Sequence, residues 1–351
     1  MNGSMAAVSL AAILLSALGC GLWRPLARRL GFVDEPNHRS LHERPMVRSG
    51  GLPMALALLL VLLPAFTFQA MTLPWPLLLA LMLAAGLTLV SALDDRIPLP
   101  VLPRLGSHLL ACVLFVALGP ELPAWLDAWP LPALLPVGLL AVLALAWLIN
   151  LYNFMDGSDG LAGGQGVIGF AALGGLALMA DAPETALVAF AISGCCLGFL
   201  FWNAPPARLF LGDAGAIPLG FLAGALSLQL WLSHAVPPWL TLLPFAPFWA
   251  DASITLLRRL WRGERIMQAH REHYYQRLVQ SGWGHGKTAL LGWGLMLFAA
   301  LAALAGQYLD HYLGQQPGQP AQVLLGQAAL VTLVLLSLLL TAFWIARRAG
   351  D

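Results

Sequence analysis

The sequence predicts an all-α fold: a polytopic integral membrane helix bundle of about eleven spans, with the N-terminus outside and the C-terminus inside. Three observations carry that expectation. Of 351 residues, 59% are hydrophobic and only 10% are charged, whereas a soluble domain carries about a quarter charged residues. Eleven apolar segments of roughly spanning length follow one another: 4–22, 51–70, 75–93, 105–119, 131–151, 164–180, 185–202, 215–233, 239–257, 289–306 and 322–345. All 18 Lys and Arg fall in alternate connections, namely 23–50, 94–104, 152–163, 203–214, 258–288 and the tail after 345. These connections are therefore the inner loops, and the span count is odd. No barrel-type alternation is present, and a bilayer offers no water to unpaired backbone groups, so helices are the expected form.

The first span has no positive n-region and no small-residue cleavage site, which favours a retained helix over a removed signal peptide. Cys20, Cys112, Cys195 and Cys196 lie in apolar segments without metal-ligand spacing and read as small core residues. No long linker, low-complexity block or internal repeat divides residues 1–351, so one domain is expected. The outer loops 120–130 and 307–321 carry no bases and no evident chemistry; Trp125, Trp129 and Trp239 read as interfacial anchors.

In the first inner loop, Arg24, Arg28 and Arg29 are explained by topology and anionic headgroups. The Pro, Asn, His and Gly-Gly pattern beyond them is not. Arg48 beside Gly50 and Gly51, at the start of a helix, resembles an anion-receiving corner. The third span ends in Asp94 and Asp95, at the helix end where the dipole disfavours negative charge. Adjacent carboxylates raise one another's pKa unless a cation such as Arg96 compensates them, and the functional alternative is a divalent metal or proton-transfer role.

Asn150 to Gln165 is the most polar, glycine-dense patch of the first half. Asn150, Asn153, Asp156 and Asp159 are crowded there where the chain leaves an apolar helix. A plain connection needs only a turn and a cap. In the fourth inner loop Asp213 stands where a helix begins, so an N-cap is the bland reading. That reading leaves Asn203, Arg208 and Phe210 unexplained; an aromatic with a nearby carboxamide could hold a base, and an aspartate free of its cap could hold a metal. Asp251 lies within the ninth span, seven residues before Arg258, and an intramembrane carboxylate is either a functional site or half of a buried pair with a loop arginine. In the fifth loop, a helix through Gln268 to Arg277 would place His270, His273 and Arg277 on one face, suited to phosphate oxygens or to a solvated basic surface.

Taken together, Asp34-x-Pro with Gly50-Gly51, the Asp94-Asp95 pair, Asn150-x-x-Asn153-x-x-Asp156-Gly-x-Asp159-Gly-Leu, Gly212-Asp213-x-Gly215 and His270-x-x-His273 resemble the polyprenyl-phosphate N-acetylhexosamine-1-phosphate transferases, glycosyltransferase family 4, over most of the chain. The run Ala269-His270-Arg271-x-His273-x-Tyr275-Gln276 is similar to the bacterial members that initiate O-antigen and related surface glycans. It departs from the consecutive histidines of the peptidoglycan, muramoyl-pentapeptide branch. Ala216 replaces the serine common after Gly-Asp-x-Gly.

The resemblance implies transfer of HexNAc-1-phosphate from a UDP-N-acetylhexosamine to undecaprenyl phosphate, with release of UMP, at the cytoplasmic face of a bacterial inner membrane. It implies Mg2+, with Mn2+ as a substitute. Asp213 is then the principal metal ligand, and Asp94 and Asp95 lie near the metal or the lipid phosphate, which Asp94 could deprotonate. Asn153, Asp156, Asp159, Asn203 and Phe210 fall at nucleoside-binding positions, with Phe210 stacking on uracil. Asn150 and Arg48 belong to the substrate-binding set, and His270, Arg271 and His273 contact the pyrophosphate or sugar. Partners are the two substrates and the lipid bilayer; nucleic acid is not among them, and a homodimer is admitted.

Two rival readings fit less well. A transporter places ionisable groups near the midplane on broken helices; here nearly all of them sit at one rim, and Asp251 is the only candidate inside a span. An alcohol phosphotransferase using CDP-linked lipids needs an Ala-Arg pair after its Asp-Gly start, and Gly163 follows Ala162.

Overall fold

The computed structural model describes residues 3–36, 41, 44–68, 72–234, 236–265, 270–313 and 320–348. Asn37, His38 and His42 of the first-loop pattern, Gln268 and Ala269 of the histidine run, and residues 314–319 of the last outer loop lie outside them, as does the Trp125 side chain.

The chain runs α1 (Gly3–Leu30), a hairpin of β1 (Val33–Asp34) and β2 (Met46–Val47), α2 (Gly51–Phe68), α3 (Trp75–Arg96), α4 (Val101–Leu118), α5 (Ala124–Asp127), α6 (Leu131–Phe154), α7 (Leu161–Met179), α8 (Pro183–Asn203) and α9 (Asp213–His234). It continues through α10 (Pro238–Leu242), α11 (Ala246–Trp261), α12 (Tyr274–Leu278), α13 (Gly284–Leu313) and α14 (Pro320–Arg348). Among the described residues, ten helices, counting α10 and α11 as one span and α12 with α13 as another, are long and apolar enough to cross a membrane; α2 is a shorter apolar helix. The expected polytopic bundle is thus observed; most segments lie within a few residues of their expected place, while α1 runs eight residues past the expected end at 22 and α13 extends the expected 289–306 at both ends.

Differences have local causes. The ninth span is interrupted by a 3-10 turn over Leu243–Phe245, where Pro244 and Pro247 lack the N–H and the clearance a continuous helix needs. α4 starts four residues before the apolar run, at Val101, because Pro103 is tolerated in a first turn. The hairpin pairs Val33 with Val47 and Asp34 with Met46.

Helices α7, α8 and α9 form the centre: 72%, 72% and 83% of their spanning windows are buried, against 28% or less for α1, α4, α6 and α14. α1 packs on α8, α8 on α7, and α7 on α13, which carries α14; on the other side α3 and α6 pack on α9. The four cysteines are free and buried, as expected of core residues. Trp129 and Trp239 keep about half their surface exposed, at 45% and 44%. The connections after α1, α3, α6, α8 and α11 lie at one end of the bundle, called the loop end below.

Candidate active site

The first joint of the loop end is built on Asp95. This carboxylate is only 4% exposed. Its Oδ1 accepts the backbone N–H of Asp213 at 3.3 Å, and its Oδ2 accepts the Ala214 N–H at 3.4 Å and the Ser49 hydroxyl at 2.5 Å. A helix starts with unpaired N–H groups, and here the cap of α9 comes from α3 rather than from its own sequence. Asp213 therefore does not serve as the N-cap: Gly212 occupies that position, accepting the N–H of Gly215 and Ala216. Gly212 has φ +71°, and a Cβ there would sit 2.7 Å from Asp95 Oδ2. Ser49, fully buried, adopts φ +65° to bring its hydroxyl to Asp95.

Arg48 donates to the Asp95 backbone carbonyl, and its guanidinium lies 3.8 Å from both Asp34 and Asp95. The expected anion corner differs from its sequence reading. The Gly50 and Gly51 N–H groups donate to the carbonyls of Phe210 and Leu211, at 2.9 and 3.1 Å, and are not free for an anion. Gly51 instead permits contact of two helix starts, since a Cβ on it would fall 2.2 Å from the Gly215 nitrogen. Phe210 donates its own N–H to Val47 at 2.9 Å, which ties the fourth loop to β2; its ring is half-buried.

Asp94 is also engaged. Its Oδ1 accepts the Leu99 N–H at 2.7 Å and its Oδ2 meets Arg104 at 3.0 Å. The compensating cation is thus Arg104, while Arg96 is exposed. Asp213 lies within electrostatic reach of Asp95, Arg104, Asp94 and Arg48. Asp156 accepts a hydrogen bond from Gly212, and burial followed by the charges of Asp213 and Asp95 pushes its carboxyl well above the usual carboxylate range.

The expected metal set of Asp94, Asp95 and Asp213 does not converge: among the described residues no three His, Cys, Asp or Glu side chains could hold an ion by themselves. The donor chemistry nonetheless fits magnesium, which keeps several waters and is bound through one or two carboxylates plus substrate phosphates. Asp213 and Asp156 are the carboxylates not already committed to a cap or an ion pair.

The loop between α6 and α7 is braced on every side. Asp159 accepts the Ala207 N–H at 2.9 Å. Asn203 accepts the Gly160 N–H and donates to the Leu209 carbonyl, both at 3.0 Å, and Trp293 donates to the Gly160 carbonyl at 3.0 Å. His285 Nδ1 lies 2.9 Å from Ser158 Oγ and 3.3 Å from the Asp159 nitrogen. A backbone N–H can only donate, so Nδ1 accepts and the ring proton sits on Nε2. Asn150 donates to Ala146 in its own helix at 2.7 Å. Asp159, Asn203 and Asn150 thus have bracing partners, whereas the half-buried Asn153 carboxamide makes no hydrogen bond to a described residue.

The histidine segment differs from the expected helix. His270 and His273 precede α12, and their rings lie 4.9 Å apart. Asp251 organises them: it accepts the N–H of Tyr274 and Tyr275 at 3.0 and 3.1 Å and meets His273 Nδ1 at 3.2 Å. The partner of this intramembrane carboxylate is a histidine and a helix start, not an arginine. Arg258, Arg259 and Arg262 gather on Glu272 instead. Tyr275 donates to the Phe154 carbonyl at 3.0 Å, docking the segment onto the end of α6. Burial, then the neighbouring His273 and Arg259, push the His270 imidazole down to about 4. Arg271 is exposed beside it.

Ser49, Arg104 and His285 have site roles that sequence reading did not assign. Only Ser49, between Arg48 and Gly50, carried a local signal.

Residues 77–231 match Glycosyl transferase family 4. The chain is 29% identical over 368 residues to a decaprenyl-phosphate N-acetylglucosaminephosphotransferase of Mycolicibacterium smegmatis, covering 94% of this chain and 87% of that protein. It is 28% identical over 280 residues to a probable undecaprenyl-phosphate N-acetylglucosaminyl 1-phosphate transferase of Bacillus subtilis, covering 76% and 75%. A phospho-N-acetylmuramoyl-pentapeptide-transferase of Listeria welshimeri is 34% identical over 170 residues, but only 46% of this chain and 50% of that protein are covered. With these likenesses spanning the bundle and the inner-loop motifs meeting at its loop end, the chain is similar to glycosyl transferase family 4.

Proposed function

We propose that the protein transfers N-acetylhexosamine 1-phosphate, with N-acetylglucosamine favoured by the relatives' names, from its UDP conjugate to a polyprenyl phosphate. An acceptor phosphate oxygen forms a bond to the sugar-side phosphorus, the bond from that phosphorus to the bridging oxygen breaks, and UMP leaves with the electron pair. The observation that carries this reading is the release of Asp213: Asp95 caps α9, leaving the Asp213 carboxylate beside Asp156 at the meeting point of the loops.

Asp213 and Asp156 would hold the magnesium ion, or manganese in its place; when bound, the ion supplies charge neutralisation on the pyrophosphate. Arg48 orients phosphate oxygens from the Asp34 and Asp95 side. Phe210 offers its half-buried ring to the uracil and Asn153 its carboxamide to the nucleoside. His270, neutral because its pKa is depressed to about 4, and His273, held by Asp251, present imidazole nitrogens to the sugar or pyrophosphate beside Arg271. Phosphoryl transfer asks chiefly for positioning and electrostatic stabilisation. A phosphate monoester has its second pKa at about 6, so the acceptor needs no strong base, in keeping with an Asp94 already bound to Arg104.

The one-sided distribution of basic residues supports placing this end at the cytoplasmic face of a bacterial inner membrane. The spaced histidines favour a surface glycan of O-antigen type as the product's destination over peptidoglycan. The test is incubation of purified protein with undecaprenyl phosphate, Mg2+ and a panel of UDP-N-acetylhexosamines, with UMP and the lipid product measured. Absence of UMP with every donor would reject the reading.

A further inference from the structure

Arg208 takes no part in the site described above. It meets Arg24 over the indole of Trp202, near the loop ends of α1 and α8, with the two guanidinium carbons 4.9 Å (Arg24) and 5.0 Å (Arg208) from the ring centre. The ring itself is fixed. Trp202 donates from Nε1 to the Ala17 carbonyl at 2.8 Å, and it crosses α1 at Gly21, where a Cβ would come within 2.9 Å of it. The Trp202 carbonyl accepts the N–H groups of Arg208 and Leu209 at 2.7 and 3.2 Å, which brings the fourth loop back onto α8. Arg24 Nε donates to the Arg208 carbonyl at 3.1 Å, and Arg208 Nη2 to the Phe201 carbonyl at 2.8 Å. Each guanidinium keeps further N–H groups that no described residue accepts.

Charge sets this place apart from the rest of the loop end. Arg24 lies within electrostatic reach of Arg208 and Arg28, and none of the three forms an ion pair with a described residue. Elsewhere Arg48 faces Asp34 and Asp95, Arg104 faces Asp94, and Arg258, Arg259 and Arg262 face Glu272. The end of the α1 dipole favours Arg28, but it does not account for a loop that carries another cation onto Arg24. The membrane side supplies the second half of the pattern. Leu14 and Leu18 on α1 and Leu197 and Phe201 on α8 are exposed apolar side chains of spanning helices, and Arg208 is bonded to the carbonyl of Phe201.

We propose that Arg24, Arg28 and Arg208 bind the phosphate of an anionic phospholipid whose acyl chains lie against α1 and α8. A phosphodiester offers the paired oxygens that guanidinium forks match. Lipid fits better than free phosphate because the arginines stand where the bilayer-facing surface ends, beside a tryptophan of the kind that sits at headgroup level. The bound phosphate offsets the repulsion between Arg24 and Arg208, and so steadies the loop that runs on to Phe210 and Asp213. The occupant is a lipid of the bilayer itself, and its binding does not depend on the transfer reaction proposed above.

Affinity is read from the thermal stabilisation of the detergent-solubilised full chain, without substrates, by phosphatidylglycerol, phosphatidylcholine or inorganic phosphate. Phosphatidylglycerol is expected to stabilise the wild type and the other two are not. The double variant Arg24→Gln/Arg208→Gln is expected to bind phosphatidylglycerol about tenfold more weakly, the loss of one charge-assisted hydrogen bond. Arg347→Gln/Arg348→Gln removes the same charge from the end of α14, where both guanidiniums also lie over aromatic rings, and leaves the affinity at its wild-type value. An equal fall in both double variants means diffuse attraction to the membrane surface and overturns the site. Stabilisation by inorganic phosphate as large as by phosphatidylglycerol overturns the lipid.

A benzophenone side chain at Phe201 tests the same site with all three arginines in place. In vesicles of equimolar phosphatidylglycerol and phosphatidylcholine it is expected to capture mostly phosphatidylglycerol, while one at the exposed Leu340 of α14 captures both equally. Equal capture at Phe201 overturns the proposal, whatever the folding of the arginine variants.

Discussion

The Asp95 carboxylate accepts the backbone N–H of Asp213 across 118 residues of sequence. One carboxylate of the site is thereby spent on building the helix start that aims another. Asp95→Ala removes the cap, a buried charge-assisted partner worth about 1–3 kcal/mol. The variant is expected to unfold at lower temperature in detergent and to lose UMP release, while Asp95→Asn retains most of the stability. Unchanged melting of Asp95→Ala would reject the capping role.

Asp213→Asn is expected to melt as wild type does, because the Asp213 side chain is not part of the cap. Magnesium-dependent UMP release should nevertheless disappear. Turnover at the wild-type rate by the folded variant would sink the assignment of Asp213 to the metal.

Phe210 is anchored by its backbone, through Val47 and Gly50, so truncating the ring leaves the loop attached. Phe210→Ala should raise the KM for UDP-sugar more than the KM for lipid phosphate. An equal change in the two constants would remove uracil stacking from the mechanism.

Asp251→Ala frees the His273 imidazole and the first two N–H groups of α12 together. Loss of charge-assisted hydrogen bonding worth about 1.5–3 kcal/mol corresponds to roughly a 10- to 100-fold fall in kcat/KM. Asp251→Asn keeps an acceptor for the backbone and is expected to recover part of the activity. Full activity in the alanine variant would show that His273 needs no such anchor.

The depressed pKa of His270, about 4 against 6.5 for the free side chain, makes folding pH-dependent in a defined direction. Between those values the unfolded chain binds the proton and the folded one does not, so stability rises with pH through this window and is lost as pH falls below 6.5. Chemical denaturation of His270→Gln at pH 7 and pH 5 should show a smaller drop than wild type. An identical drop would mean that another group governs the acid side.

The spans were legible because hydropathy is a local property, and the loop end because arginine placement is one-sided. The hairpin was not, since two-residue strands are too short to show a period. Asp213 read as its own N-cap because spacing reveals only caps donated by neighbours in sequence; a cap sent from α3 leaves no local trace. The same limit hid Arg104 behind the adjacent Arg96, and His285 behind the glycines that flank it. The helix expected through His270 failed for a related reason: α12 starts only where Asp251, on another helix, can accept its first N–H groups.

The cap passing from α3 to α9 also sets an order of assembly. During synthesis Asp95 emerges well before Asp213, and until α9 docks against α3 this carboxylate has no amides to receive. A chain whose central helices have inserted but not yet associated holds both aspartates without the geometry that relates them. Competence for chemistry therefore requires the docking of α9 on α3, not insertion into the bilayer alone.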